Sequence, residues 1–469
     1  MVNLWLDRKS FYHLENLMSM MGRNWDCFGN GVLLSMLMLL SMLIAACAPA
    51  DSPAGADTDT SAAPASGGDA ADAASPAVES AAGESEATVV APPELLPEDE
   101  LADGWISLFD GHSLFGWKRP DQANWHVEDG AIVVDSGEKC LLCTSTEFSD
   151  YELKIDFRCP PTTNSGVFLH TALAPEDPAI DCYELNIAGP DNPFPTGSLV
   201  FRQKAEIDPV SPDWHSYHVT IDGADVTVVL DGEQILEYID PQPLERGPIG
   251  LQFNTGEIAF RNIRLKPLGT ERIFNGRDLS GWKTYPEMAS KFTVTAAGEI
   301  NVRDGRGQLE TEASYGDFVL QLECIAHAEK LNSGIFFRCI PGDTMMGYEC
   351  QIQNGFENGD RTQPEDCGTG GIFRRQDARY VVADDLDWFW LTLIADGPHM
   401  AAWVDGYQVS DWTDEREPDE NPRKGLRLEP GTIMIQGHDP TTNLSFRNLR
   451  IAPLATRQEA AASESEATE

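Results

Sequence analysis

Across residues 101–455 apolar and polar side chains alternate with a period of two. Tyr151-Glu-Leu-Lys-Ile-Asp-Phe157 and Phe318-Val-Leu-Gln-Leu-Glu-Cys324 show it plainly, as do Tyr217-His-Val-Thr-Ile221 and Val226-Thr-Val-Val-Leu230. Such alternation predicts strands that bury one face. Asp129-Gly130, Asp222-Gly223, Asp231-Gly232 and Asp405-Gly406 punctuate the strands, and Asp-Gly is a short-range hairpin signal. No amphipathic pattern longer than about three helical turns interrupts them. Many short strands without helices predict an all-β sandwich or closed barrel.

The pattern occurs twice. Leu108-Phe109-Asp110-Gly111 with Gly116-Trp117-Lys118 is answered by Ile273-Phe274-Asn275-Gly276 with Gly281-Trp282-Lys283. Asn164-Ser165-Gly166-Val167-Phe168-Leu169-His170 is answered by Asn332-Ser333-Gly334-Ile335-Phe336-Phe337-Arg338. Tyr183-Glu184-Leu185-Asn186-Ile187 has its echo in Tyr348-Glu349-Cys350-Gln351-Ile352, and Thr196-Gly197-Ser198-Leu199 in Thr369-Gly370-Gly371-Ile372. Asp213-Trp214, Leu230-Asp231-Gly232 and Phe260-Arg261-Asn262-Ile263-Arg264 recur as Asp387-Trp388, Val404-Asp405-Gly406 and Phe446-Arg447-Asn448-Leu449-Arg450. Seven blocks in one order mean a duplicated domain, with copies expected at 101–268 and 271–455. The repeat is far longer than any solenoid unit, and each copy is long enough for its own core.

The ends of the chain read differently. Gly31–Ala46 is an apolar run closed by small residues directly before Cys47, so 1–46 is expected to be a signal peptide ending in a lipobox with Cys47 lipidated. Residues 48–100 hold twelve Asp or Glu and no Lys or Arg. With few large apolar side chains they are expected to form a disordered acidic tether, and 456–469 a disordered tail. The expected location is therefore outside the cell membrane, anchored to it by lipid. The formal net charge of −43 argues against nucleic acid as a partner, since phosphate binding needs clustered Lys and Arg. Eight cysteines remain in the two copies, four in each, as structural disulfides or buried thiols. Cys140-Leu-Leu-Cys143 lacks the second pair that a zinc site requires.

Period two also sorts the polar blocks by face. Glu349 and Gln351 point one way, and Tyr348, Cys350 and Ile352 the other. Arg338 and Phe336 are expected to share one face, with Phe337 and Cys339 opposite, so that Cys339 and Cys350 lie together away from Arg338 and Glu349. The first copy offers His170 with Glu184 and Asn186. A carboxylate, an amide and a cation together suit sugar hydroxyls, and Trp125, Trp214 and Trp388 are aromatic surfaces on which a sugar could stack. A salt-bridged solvent face with core tryptophans is the plainer alternative. No phosphate loop, GxSxG elbow, HExxH or EF-hand loop is present. The carboxylates leave room for one divalent cation, Ca²⁺ or Mn²⁺, which no motif specifies.

These blocks resemble the 3-keto-disaccharide hydrolase family over nearly all of both copies, from Leu108 to Leu268 and Ile273 to Leu454. The resemblance implies two tandem concanavalin-like jelly-roll β-sandwiches, export often as a lipoprotein, and cleavage of glycosides oxidised to a ketone at sugar carbon 3. Such a ketone acidifies the proton on C2. A base removes that proton, the glycosidic oxygen leaves C1, and water adds afterwards. Carried onto matching positions, Glu184 and Glu349 become base or hydroxyl anchor, and His170 and Arg338 oxygen polarisers or proton shuttles. Asn186 and Gln351 would orient hydroxyls, with Trp214 and Trp388 as substrate platforms. The chain departs from the family pattern at His170, Asn186, Cys350 and Phe373. Two other readings stand beside catalysis: a tandem carbohydrate-binding lipoprotein, because lectin and glycosidase sites share residue types, and a structural surface lipoprotein.

Overall fold

The computed structural model describes residues 93–455. The expected signal peptide, Cys47, most of the acidic tether and the tail lie outside the described residues. The end of the expected tether is folded rather than disordered: Glu98–Asp103 form a short helix, Leu96 is buried, and Glu100 pairs with Lys154 at 3.0 Å and Arg264 at 2.7 Å. Two basic partners facing each other on neighbouring strands give this acidic segment a place to dock. Among the described residues no helix is long and apolar enough to cross a membrane.

Each half is a sandwich of an eight-stranded and a five-stranded sheet. The first half runs from Ile106–Ser107 to Ile258–Pro267, the second from Glu271–Arg272 to Asn443–Pro453. In the first half the five-stranded sheet has the order Trp117–Lys118, Cys140–Thr144, Gly250–Phe253, Asn164–Leu169, Tyr183–Ala188. In the second the order is Trp282–Thr284, Gly307–Thr311, Thr432–Gly437, Ser333–Cys339, Tyr348–Ile352. The strand orders of the two halves correspond throughout, and the pairing in both sheets is antiparallel. Alternation does what the sequence predicted: Tyr151, Leu153, Ile155 and Phe157 are buried in the first core while the residues between them are only partly covered.

Several repeated blocks turn out to be scaffold. The Asp-Gly pairs at 129–130, 231–232 and 405–406 have both residues at positive φ, as a two-residue type I′ hairpin demands. Trp117 and Trp282 donate their indole N–H to Leu108 and Ile273 at 2.7 and 2.9 Å, pinning the start of each repeat. Asn262 and Asn448 take φ of 51° and 53° at a bulge in their long strands. Asn tolerates that conformation better than most residues. Each then donates to a carboxylate of the neighbouring strand, Asp156 or Glu323.

The halves share apolar and ionic packing. Val319, Ile394, Ala401 and Trp403 of the second half belong to the first half's core, and Trp403 donates to the carbonyl of Ser107 at 2.9 Å. Arg246 of the first half, nearly inaccessible, reaches Glu147 at 3.2 Å, Asp317 at 3.1 Å and the fully buried Asp396.

Candidate functional site

The outer face of each five-stranded sheet carries a polar floor. Register places Phe168 opposite Glu184 and Gly166 opposite Asn186; in the second half Phe336 lies opposite Glu349 and Gly334 opposite Gln351. The repeated Asn-Ser-Gly block now has a reason. Ser165 and Ser333 donate to the carbonyls of Gln252 and Gln436 at 2.6 and 2.8 Å, fixing the central strand. The glycine leaves space: a Cβ on Gly334 would lie 2.7 Å from Glu349 Oε1, and one on Gly166 3.6 Å from Glu184 Cγ. Glu349 therefore lies where a side chain would otherwise stand, while Glu184 is at ordinary contact distance from that position.

Gln252 and Gln436 escaped the sequence reading, because each sits in a strand whose neighbours are glycine or large apolar residues. The signal was present as Leu251-Gln252 and Ile435-Gln436 at one place in both repeats. In the first half Gln252 Nε2 donates to Glu184 at 3.2 Å, and Asn186 Nδ2 donates to the carbonyl of Phe194. In the second, Gln351 Nε2 donates to Asn332 at 3.2 Å. Those acceptors orient the amides of Asn186, Gln252 and Gln351, so their oxygens are the atoms left over. Asn186 Oδ1, Gln252 Oε1, Gln351 Oε1 and Gln436 Oε1 are all buried with no donor. Unpartnered buried acceptors are uncommon and costly. The same two positions in both halves lack a donor, beside the same glutamate.

Burial pushes Glu184 above its ordinary value, with Lys139 and the Gln252 amide pulling the other way. Glu349 accepts no hydrogen bond from the described residues. Burial raises it to about 7, against the pull of Arg423 and Arg374, while Asp366 adds to the rise. The sign for stability follows. The folded state holds a proton between the ordinary 4.5 and about 7, so Glu349's contribution is fully present below the lower value. It is lost as pH rises through about 7. Urea unfolding should therefore show Glu349→Gln gaining stability relative to wild type between pH 5 and pH 8. A gain independent of pH would exclude titration of this carboxyl in the folded state.

The cavities over the two floors differ. The first half has about 470 Å³, bounded by Phe168, Gln252, Lys139 and Leu173. In the second half Met345 packs on Phe336, Cys339 and Met434, and its N–H bonds Gln308 at 2.8 Å. What stays open is about 90 Å³ beside Glu349, bounded by Phe373, Arg374, Arg375 and Arg423. Glu310 shares this face. Burial pushes its carboxyl up, but donors from Tyr285, Gly342 and Thr432 outweigh that and leave it below the usual range.

The expected cations do not join the glutamates. His170 and Arg338 have φ of 46° and 48°, and the register of the Ser333–Cys339 strand shifts between Phe336 and Cys339. This bulge reverses the alternation after Phe336. Arg338 leaves the Glu349 face, becomes fully buried, and pairs with Asp317 at 2.7 Å while bonding the carbonyls of Gly316 and Arg427. His170 reaches the corresponding carbonyls of Ser149 at 2.7 Å and Leu244 at 2.8 Å. Burial pushes its imidazole below the ordinary value. The same bulge corrects the cysteine expectation: Cys339 packs with Phe336 on the outer face, whereas Cys350 lies in the core, so they occupy opposite faces. All eight described cysteines are free thiols.

The tryptophans are elsewhere too. Trp214 and Trp388 lie on the eight-stranded sheets, under Arg261 at 4.0 Å and Arg447 at 3.9 Å, and Trp125 is a fully buried core residue. Trp214 sits on the sheet's outer surface against Val133 and Ala259, a cluster separate from the core. Among the described residues no group of three or more His, Cys, Asp or Glu is arranged to hold a metal ion. The structure thus brings together Glu184 with Asn186 and Gln252, and Glu349 with Gln351 and Gln436.

A curated 3-keto-disaccharide hydrolase of Bacteroides thetaiotaomicron is 25% identical over 236 residues, covering 37% of this chain and 81% of that one. A solved Parabacteroides distasonis structure is 23% identical with a TM-score of 0.33, covering 38% of this chain and 99% of its own. A β-glucanase of Bacillus licheniformis is 15% identical with a TM-score of 0.28, covering 38% and 96%. The model of the 3-keto-alpha-glucoside-1,2-lyase-like domain matches residues 104–266 and again 269–452, and the chain belongs to that family, with two copies in tandem.

Proposed function

We propose that this protein is a hydrolase of 3-keto-disaccharides that works by elimination followed by hydration, with Glu349 as the base of the second site. One observation carries the reading: a buried glutamate flanked by two donor-less amide oxygens stands on the same face of both halves, and in the second half that glutamate accepts no hydrogen bond from the described residues. Sugar hydroxyls are the donors such a floor lacks. A carboxyl near 7 suits a base that must take a carbon-bound proton at neutral pH and give it back.

In the proposed sequence Glu349 removes the proton from C2 of the keto-sugar, and the electron pair moves into the C2–C3 bond as the ketone oxygen takes negative charge. Arg423, which acts electrostatically on Glu349, stabilises that oxygen. The pair returns, a C1–C2 double bond forms, and the glycosidic oxygen leaves C1 with the proton that Glu349 had taken. Water then adds at C1, its hydroxyl bonding C1 and its proton passing through Glu349 to C2. In the first half Gln252 already occupies Glu184, which favours sugar binding there as a second reading. Incubating the full chain with 3-keto-trehalose, with and without a chelator, and following sugar release by mass spectrometry tests the proposal. Saturable binding without release overturns it in favour of a sugar-binding protein.

We also propose export and anchoring through Cys47. Cys47→Ser should move the protein from the membrane fraction to the soluble one, because several acyl chains exceed the two signals that stable anchoring needs. Membrane retention by the variant would indicate an uncleaved helix instead.

A further inference from the structure

The rim of the second site is rich in positive charge in a chain with 76 acidic and 33 basic residues. Other arginines of the second half are neutralised: Arg361 by Asp384, Arg379 by Asp110, Arg416 by Asp414 and Arg447 by Glu323. Arg374, Arg375 and Arg423 have no carboxylate at ion-pair distance among the described residues. Backbone carbonyls hold two of them instead. Arg375 donates to Arg374 at 3.1 Å and Arg423 at 2.9 Å, and Arg423 donates to Met345 at 2.8 Å. Arg375 is partly buried, Arg374 and Arg423 are exposed, and Glu349 lies below them. Burial, with Arg416 adding to it, holds Arg375 below the ordinary guanidinium value, as expected for a cation short of counter-charge.

The first half is a control built into the same chain. Thr196–Gln203 and Thr369–Gln376 fold alike, with bridges Leu199↔Gln203 and Ile372↔Gln376 and with Phe201 and Arg374 at φ of 60° and 57°. Phe201 thus stands where the second half has Arg374. Arg202, in the place of Arg375, turns onto the carbonyls of Ala179 and Cys182 and lies 4.0 Å from Asp240. Residues 240–249 close the loop that 414–431 enlarge in the second half, where the added length carries Arg423. The cationic rim is a property of one copy.

We propose that the second site takes a sugar carrying an anionic substituent, a carboxylate or a sulfate ester, which Arg374 and Arg375 grip at the rim while the ring and its ketone oxygen face Glu349 and Arg423. This rests on reading the Glu349 floor as a sugar site. Guanidinium groups match such oxyanions with paired N–H donors. A cavity of about 90 Å³ admits a substituent and part of a ring rather than a disaccharide, so the rest of the glycan extends outward.

Calorimetric titration of the full chain with methyl glucuronide, glucose 6-sulfate and methyl glucoside at low and high salt tests this. At least one anionic sugar should bind about tenfold or more tighter than the neutral glucoside, the size of one charged hydrogen bond. The preference should shrink with salt, as an exposed charge contact does. Preference for the glucuronide identifies carboxylate as the group, and preference for the sulfate identifies sulfate. Arg374→Gln should reduce the anionic-to-neutral ratio by about tenfold and Arg374→Lys by less. Equal affinity for the three sugars, or a ratio that Arg374→Gln leaves alone, overturns the inference. The catalytic reading fails separately: release from 3-keto-trehalose without any anionic preference sinks only this inference. Anionic preference without release from a 3-keto-glucuronide or 3-keto-trehalose sinks only the catalysis.

Discussion

Replacing Glu349 and Glu184 together by glutamine is expected to cut release of sugar from a 3-keto-glycoside by about 100- to 10,000-fold, the usual worth of a positioned general base. Glutamine preserves the shape of each side chain, so loss of rate without loss of stability would isolate the chemistry. Glu349→Gln alone should carry most of the loss if the second half does the work, because Glu349 has no donor to satisfy and Glu184 has Gln252. Wild-type rate from the second site should rise as pH passes through about 7, where Glu349 gains its charge. Full activity in the double variant would remove both glutamates from the mechanism.

The largest stability effect is expected at Arg246. Replacing it by alanine should cost about 3–5 kcal/mol in urea unfolding, the range for breaking a buried ion pair by removing one partner. Its side chain is 2% exposed and that of Asp396 1%, so water cannot replace the lost contact readily. Asp317 also serves Arg338, so the loss would spread to the Ser333–Cys339 strand beneath the second site. A change under about 1 kcal/mol would show that the pair is no better than a surface salt bridge.

Duplication, sandwich and hairpins were legible because period-two alternation and Asp-Gly turns are local signals. Glu184 and Glu349 were legible for the same reason, since their strands are regular. His170 and Arg338 were misplaced because one residue at positive φ flips every later side chain to the other face, and the residue type does not announce it. Trp214 and Trp388 were assigned to the sugar because aromatic rings suit it. Their sheet depends on strand order, which alternation leaves open. Gln252 and Gln436 were missed because a single amide between large apolar neighbours looks like an interruption, and its meaning comes only from the strand beside it.

Trp403 seated in the other half's core, with Arg246 locked among carboxylates of both halves, has an evolutionary meaning. Once the copies had merged in this way, neither could be lost, shuffled or inherited alone without exposing an indole and stranding charges. Each could still change its loops. Such a pair ages as a single heritable object with two independently drifting mouths, so relatives should vary at 200–202 and 414–431 long before they vary at Trp403.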